Sequence, residues 1–189
     1  MSKQADQVDN VVLLHGYAES PTKVWFPWLH EIVESRGVRV WAPVLPDPLK
    51  PDLEQWLKTV AKEAAGWSDR TVIVAHSLGG VLALRALEIL VKRPVRAVIT
   101  VGTPFAATMS VQTLIDFFGG PVDWSKVRRR AGKFVTIQSK NDPLVPYDHA
   151  FRYHEMLGSK VVLTEKDGHF IGKTGPVIAK ELARLLGKK

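Results

Sequence analysis

Ser77 stands in the stretch Ala75-His76-Ser77-Leu78-Gly79-Gly80, between a β-branched apolar run and a strong helix-forming one. A serine lifted out of a sharp strand-to-helix turn, with a helix N-terminus aimed at its hydroxyl, is placed to attack a carbonyl. The pattern is that of a nucleophile elbow, G-x-S-x-G, with Ala75 replacing the first glycine; Ala75 and Gly79 are small enough for the close approach such a turn needs. The competing reading is a serine that only caps the helix after it.

A hydroxyl is a poor nucleophile at neutral pH and needs a base to take its proton and a carboxylate to orient that base. His169, in Lys-Asp-Gly-His-Phe-Ile-Gly, follows the last apolar run and precedes the last helical segment, and is the candidate base; otherwise it is a turn histidine bonded locally. His76 adjoins Ser77, but side chains diverge at an elbow, so it is not read as the base. His30, His149 and His154 fall within predicted helices and read as solvated or partly packed residues. Asp142 opens an Asn-Asp-Pro turn after the fifth apolar run and is the candidate acid, with Asp167 the competitor and Asp148 a distant third. Turns favour aspartate in any case. What distinguishes Asp142 is order: Ser77, Asp142 and His169 each follow a different strand, in the sequence Ser, Asp, His.

An acyl-transfer intermediate also needs N–H donors for its oxyanion. Leu78, next after the nucleophile, supplies one. The loop after the first strand, His15-Gly16-Tyr17, supplies the other from the Tyr17 N–H, unless His-Gly is an ordinary turn there. Residues placed to line a substrate pocket are His15, Gly16, Trp25, Phe105 and Phe118, with Phe117 or Phe118 as its roof. Equally, the aromatic residues pack helices onto the sheet, and Val111–Phe118 is only a crossover helix.

The elements that must position these groups are six apolar, β-branched runs bounded by turn residues: Val11–Leu14, Val38–Trp41, Thr71–Ala75, Ala97–Val101, Phe134–Gln138 and Val161–Leu163. Helical spacing fills the intervals at Phe26–Ser35, Leu53–Ala65, Gly79–Val91, Val111–Phe118, Tyr147–Met156 and Val177–Leu186. Strands too apolar to be half exposed, alternating with helices, predict a mostly parallel six-stranded α/β sheet covered on both faces. In such sheets chemistry gathers beyond the carboxyl ends of the strands, where Ser77, Asp142 and His169 all fall. No repeat or linker divides the chain, so residues 10–187 are expected as one domain behind a flexible N-terminus, 1–9.

With 189 residues, 46% of them apolar, the chain is long enough for one core. It has no cysteine, which excludes disulfides, thiolate metal sites and a thiol nucleophile. The net charge of +7 raises the question of nucleic acid, but the densest basic run, Lys126–Lys133, has no interleaved aromatics and reads as a solvated loop. The polar N-terminus and the lack of a long apolar run predict a cytoplasmic protein with no membrane span.

These motifs resemble the retinoblastoma-binding protein 9 family, also called the YdeN-like family of small serine hydrolases. The resemblance covers Val11 to Leu186 and is carried by "HGYAESPTKVWFPWL" (15–29), "AHSLGG" (75–80), "VGTPF" (101–105), "NDPLVP" (141–146) and "GHF" (168–170). It implies a compact α/β-hydrolase fold without a large cap domain, a triad of Ser77, Asp142 and His169, and no cofactor. It also implies activity on simple carboxylesters. The retinoblastoma contact of the namesake uses a cysteine-containing motif that this chain lacks, so no such partner is expected. Together these readings predict a serine esterase with a shallow site for small or short-chain esters. The same triad serves thioesterases, amidases and acyltransferases, and the fold also occurs in silent binding modules.

Overall fold

A computed structural model describes residues 7–107 and 109–187. Its centre is a six-stranded sheet, all parallel, in the order β2-β1-β3-β4-β5-β6. The strands are β1 (Asn10–Leu14), β2 (Arg39–Trp41), β3 (Thr71–His76), β4 (Ala97–Val101), β5 (Phe134–Ser139) and β6 (Lys160–Thr164). Residues of β1, β3 and β4 are buried on both faces, whereas the edge strands β2 and β6 are half exposed.

Because side chains alternate along a strand, each central strand feeds two cores. Val12, Leu14, Ile73, Ala75 and Val98 meet α2 (Leu53–Ala64), α3 (Leu78–Ile89), α4 (Trp124–Arg129) and α5 (His149–Leu157). Val11, Leu13, Val72, Val74 and Ile99 meet α1 (Phe26–Glu34) and α6 (Pro176–Leu186). Local chemistry starts these helices where they begin: Asp52 accepts from the Gln55 N–H ahead of α2, and proline occupies the first turn of α1 and of α6.

Three expectations change. The N-terminal segment 1–9 is not wholly outside the core: residues 1–6 lie outside the described residues, but Val8 is buried and the Asp9 N–H donates to the Arg70 carbonyl. Part of the basic run is helical rather than a loop, since Asp123 caps α4 by accepting from the Lys126 N–H. Only Val127 of that helix is buried, so it has no apolar stripe to read. Residues Met109–Phe118 form a 3-10 helix instead of an α-helix. With three residues per turn, Leu114 pairs with Phe117 against the core, and Ile115 pairs with Phe118 along a cavity wall.

Among the described residues, no helix is long and apolar enough to cross a membrane.

Candidate active site

β3 ends at His76 and α3 begins at Leu78, so the whole turn falls on Ser77, which adopts φ 50°, ψ −123°. A non-glycine residue in that region is strained, and it persists because its surroundings fix it. The Ser77 N–H donates to the Val101 carbonyl, and α3 packs so tightly over β1 that an added Cβ on Gly79 would lie 2.4 Å from the Leu14 carbonyl oxygen. The Ser77 side chain makes no cap on α3; its hydroxyl points elsewhere.

The Ser77 hydroxyl donates to His169 Nε2 at 3.0 Å, and His169 Nδ1–H donates to Asp142 Oδ2 at 2.8 Å. The carboxylate can only accept, which assigns the Nδ1–H tautomer and leaves Nε2 free to receive the hydroxyl proton. The Asp142 side chain is fully buried, and its other oxygen, Oδ1, accepts from the Leu144 and Val145 N–H groups at 2.8 and 3.0 Å. The turn after β5 therefore aims the carboxylate. Asn141 joins this turn to the histidine loop, its Oδ1 accepting from both the Ser139 hydroxyl and the Gly168 N–H. The competing Asp167 is exposed and engages through its main chain: its N–H donates to Ser139 Oγ and its carbonyl accepts from Phe170.

Gly16 brings the end of β1 against the elbow. A Cβ on it would lie 2.8 Å from Ser77 Cβ and 3.4 Å from the Leu78 nitrogen. The Gly16 N–H donates to Glu19 Oε2 at 3.2 Å and the Ala18 N–H to the Pro48 carbonyl at 2.8 Å. Between them, the Tyr17 N–H has no partner among the described residues, and neither does the Leu78 N–H at the start of α3.

The expected pocket residues separate into two groups. Phe105 and Phe118 line an apolar cavity of about 500 Å³, with Val81, Trp124 and Tyr153 as further walls that sequence reading missed. Phe105 stacks on Trp124 at 5.1 Å and meets Tyr153 edge-on at 5.2 Å. Burial pushes the Tyr153 phenol far up, so it stays a neutral donor to the Pro104 carbonyl at 2.8 Å. Trp25 is no pocket residue: it is fully buried, stacked on Phe26 and edge-on to His76. His15 likewise faces the interior; its Nε2 accepts from the Leu45 N–H at 3.0 Å while Nδ1–H donates to the Gly16 carbonyl. Burial pushes its imidazole down, in keeping with that acceptor role.

Two buried polar residues near Ser77 were not anticipated as part of the site. His76 Nδ1 lies 2.8 Å from Glu19 Oε2 and its Nε2 lies 2.8 Å from the His169 carbonyl oxygen. The first of these contacts spans 57 residues of chain, which no local pattern reveals. Among the described residues, no three His, Asp or Glu side chains are grouped to hold a metal ion.

Three comparisons with known proteins show the family to which the chain belongs. The model of the family described as Serine hydrolase matches residues 11–185. YdeN of Bacillus subtilis (strain 168) is 32% identical over 184 residues, which cover 95% of this chain and 97% of that protein. The crystal structure of the ydeN gene product superimposes with a TM-score of 0.91 at 29% identity, covering 96% of this chain and all of the other. Serine hydrolase RBBP9 of Rattus norvegicus is 24% identical over 159 residues, 82% of this chain and 83% of its own.

Proposed function

We propose, from the premise that this chain belongs to the serine hydrolase family, that it cleaves small carboxylic esters through a covalent acyl-enzyme on Ser77. The observation that carries this reading is the unbroken run of hydrogen bonds from Ser77 through His169 to Asp142 at 3.0 and 2.8 Å. As Ser77 attacks the ester carbonyl, His169 Nε2 accepts the hydroxyl proton and then delivers it to the departing alkoxide. Asp142, buried and aimed by two main-chain N–H groups, stabilises the imidazolium that forms in between. The Leu78 and Tyr17 N–H groups receive the oxyanion. Water enters after the alcohol leaves, gives a proton to His169, and attacks the acyl carbonyl to release the acid and restore the serine.

The acyl group finds its place in the cavity walled by Phe105, Phe118 and Trp124. Val81, another wall, is one helical turn beyond Ser77 on α3, about 6 Å further along the axis. Its size, about 500 Å³, falls within the range of small-molecule sites and favours an apolar or aromatic acyl group over acetate alone. The 3-10 helix supplies one wall of this cavity through Ile115 and Phe118.

The test is the intact mass of the protein after a fluorophosphonate probe, wild type beside Ser77→Ala, followed by hydrolysis of a series of esters of rising acyl length. One adduct on the wild type and none on the variant supports the reading. A folded wild type that does not label overturns it.

A further inference from the structure

His76 and Glu19 stand outside the triad, yet they are buried beside it. The His76 side chain is 0% exposed and that of Glu19 10%. Each nitrogen of the His76 ring faces an oxygen at 2.8 Å: Nδ1 the Glu19 carboxyl, Nε2 the main-chain carbonyl of His169. A carbonyl oxygen only accepts, so Nε2 must carry a hydrogen. An ionised carboxylate also only accepts, so Nδ1 must carry one too. A neutral ring satisfies one contact and turns a lone pair onto an oxygen lone pair at the other.

The proton could instead sit on Glu19. Burial pushes the Glu19 carboxyl up, but the hydrogen bond and charge of His76, with the Gly16 N–H, outweigh it and hold the group below the usual glutamate value. Other titratable groups near the pair are His169, whose ring centroid lies 5.0 Å from that of His76, His15, whose imidazole burial pushes down, and Lys23, whose ammonium donates to the Ala18 carbonyl. An opposite-charge pair with every donor satisfied is the form in which such charges are tolerated in an interior.

We propose that Glu19 and His76 form a buried carboxylate–imidazolium pair, with both ring nitrogens donating, that positions the triad histidine and the oxyanion loop together. Its catalytic consequence rests on the reading given under Proposed function. The pair sits at the end of β3, one residue before the nucleophile. From there Nε2–H holds the His169 main chain after β6, while the same Glu19 oxygen that receives Nδ1–H also receives the Gly16 N–H after β1. Engaging Gly16 leaves the Tyr17 N–H as the free donor in that loop. Neither residue touches Ser77 Oγ or the reacting ring nitrogen in these contacts, so both are positioning residues.

The first arm of the test uses the wild-type protein, labelled with 15N at histidine. Long-range proton–nitrogen spectra at neutral pH should show two protonated ring nitrogens for His76; a single protonated nitrogen overturns the pair. The second arm is Glu19→Gln, of nearly the same shape but unable to balance an imidazolium. His76 should lose one ring proton. kcat and the rate of fluorophosphonate labelling at Ser77 should each fall about 10- to 100-fold, with KM changed less than about twofold, since the groups displaced are those that react and not those that bind the acyl group. A folded Glu19→Gln protein that labels and turns over at the wild-type rate overturns the positioning role. A wild type that fails to label defeats the serine-nucleophile reading instead, and the nitrogen spectrum still decides the pair.

Discussion

The Cα of Gly16 faces Ser77 so closely that a methyl group there would come within 2.8 Å of the Ser77 Cβ and 3.1 Å of the His76 carbonyl oxygen. Neither neighbour can yield, because Ser77 is pinned by its N–H to Val101 and His76 by both ring nitrogens. Gly16→Ala must therefore push the Tyr17 loop away from the elbow. With the Tyr17 N–H, the proposed oxyanion donor, displaced by a fraction of an ångström to an ångström, kcat/KM should fall about 100-fold. Steady-state kinetics on a folded variant reads this directly, and activity within twofold of wild type would mean that the loop does not contact the reacting carbonyl.

The two candidate acids give opposite expectations. In Asp142→Asn, Oδ1 can still accept from Leu144 and Val145, which turns the amide nitrogen toward His169 Nδ1. A donor there forces the histidine into the tautomer whose Nε2 already carries a hydrogen, and such a change costs about 10⁴-fold in kcat where the triad logic holds. Asp167 is exposed and bonds through its main chain, so Asp167→Asn should stay within about twofold. Comparable losses in the two variants would contradict this division.

The parts of this arrangement legible in the sequence are those written locally. β-branched runs fix the six strands to within a residue at every end, and the serine, aspartate and histidine each follow a strand at the edge where loops converge. The 3-10 helix was hidden because Val111, Leu114, Ile115 and Phe118 fit a 3.6-residue stripe as well as they fit two pairs three apart. α4 is too short, with Val127 its sole buried residue, to carry any period. The Glu19–His76 pair joins positions 57 residues apart, and Trp25 could not be assigned to core or pocket until the packing of α1 against His76 was visible. Contacts that close only in three dimensions leave no trace in spacing.

Two neutral histidines make stability depend on pH. His15 Nε2 accepts from the Leu45 N–H and His149 Nδ1 from the Phe105 N–H, each at 3.0 Å, and burial pushes both rings below their ordinary value of 6.5. The unfolded chain therefore binds protons that the folded one refuses, and stability rises with pH through this window. The contribution is complete above about pH 6.5 and is lost as the pH falls through the depressed folded values. The share of the melting temperature that these two rings contribute should be constant at neutral pH and decline below it. His149→Asn keeps an acceptor for Phe105 but does not titrate, so its decline should be shallower; an equally steep one would remove His149 from the account.

The cavity makes the most specific prediction about substrate. Val81 is 6% exposed, lies one turn beyond Ser77 and borders the space between Phe105 and Phe118. Helical residues four apart share a face, so a larger side chain at 81, on the face of α3 that follows Ser77, fills part of that cavity. Val81→Phe should spare acetate esters and lower kcat/KM for longer or aromatic acyl esters. The loss of a methylene-sized contact is worth roughly 1 to 3 kcal/mol, which gives about 10- to 200-fold between the two ends of the ester series. The quantity to measure is the ratio of kcat/KM values for a long and a short ester in each protein, because the ratio cancels any general damage to the triad. A ratio that does not change would place the acyl group outside this cavity.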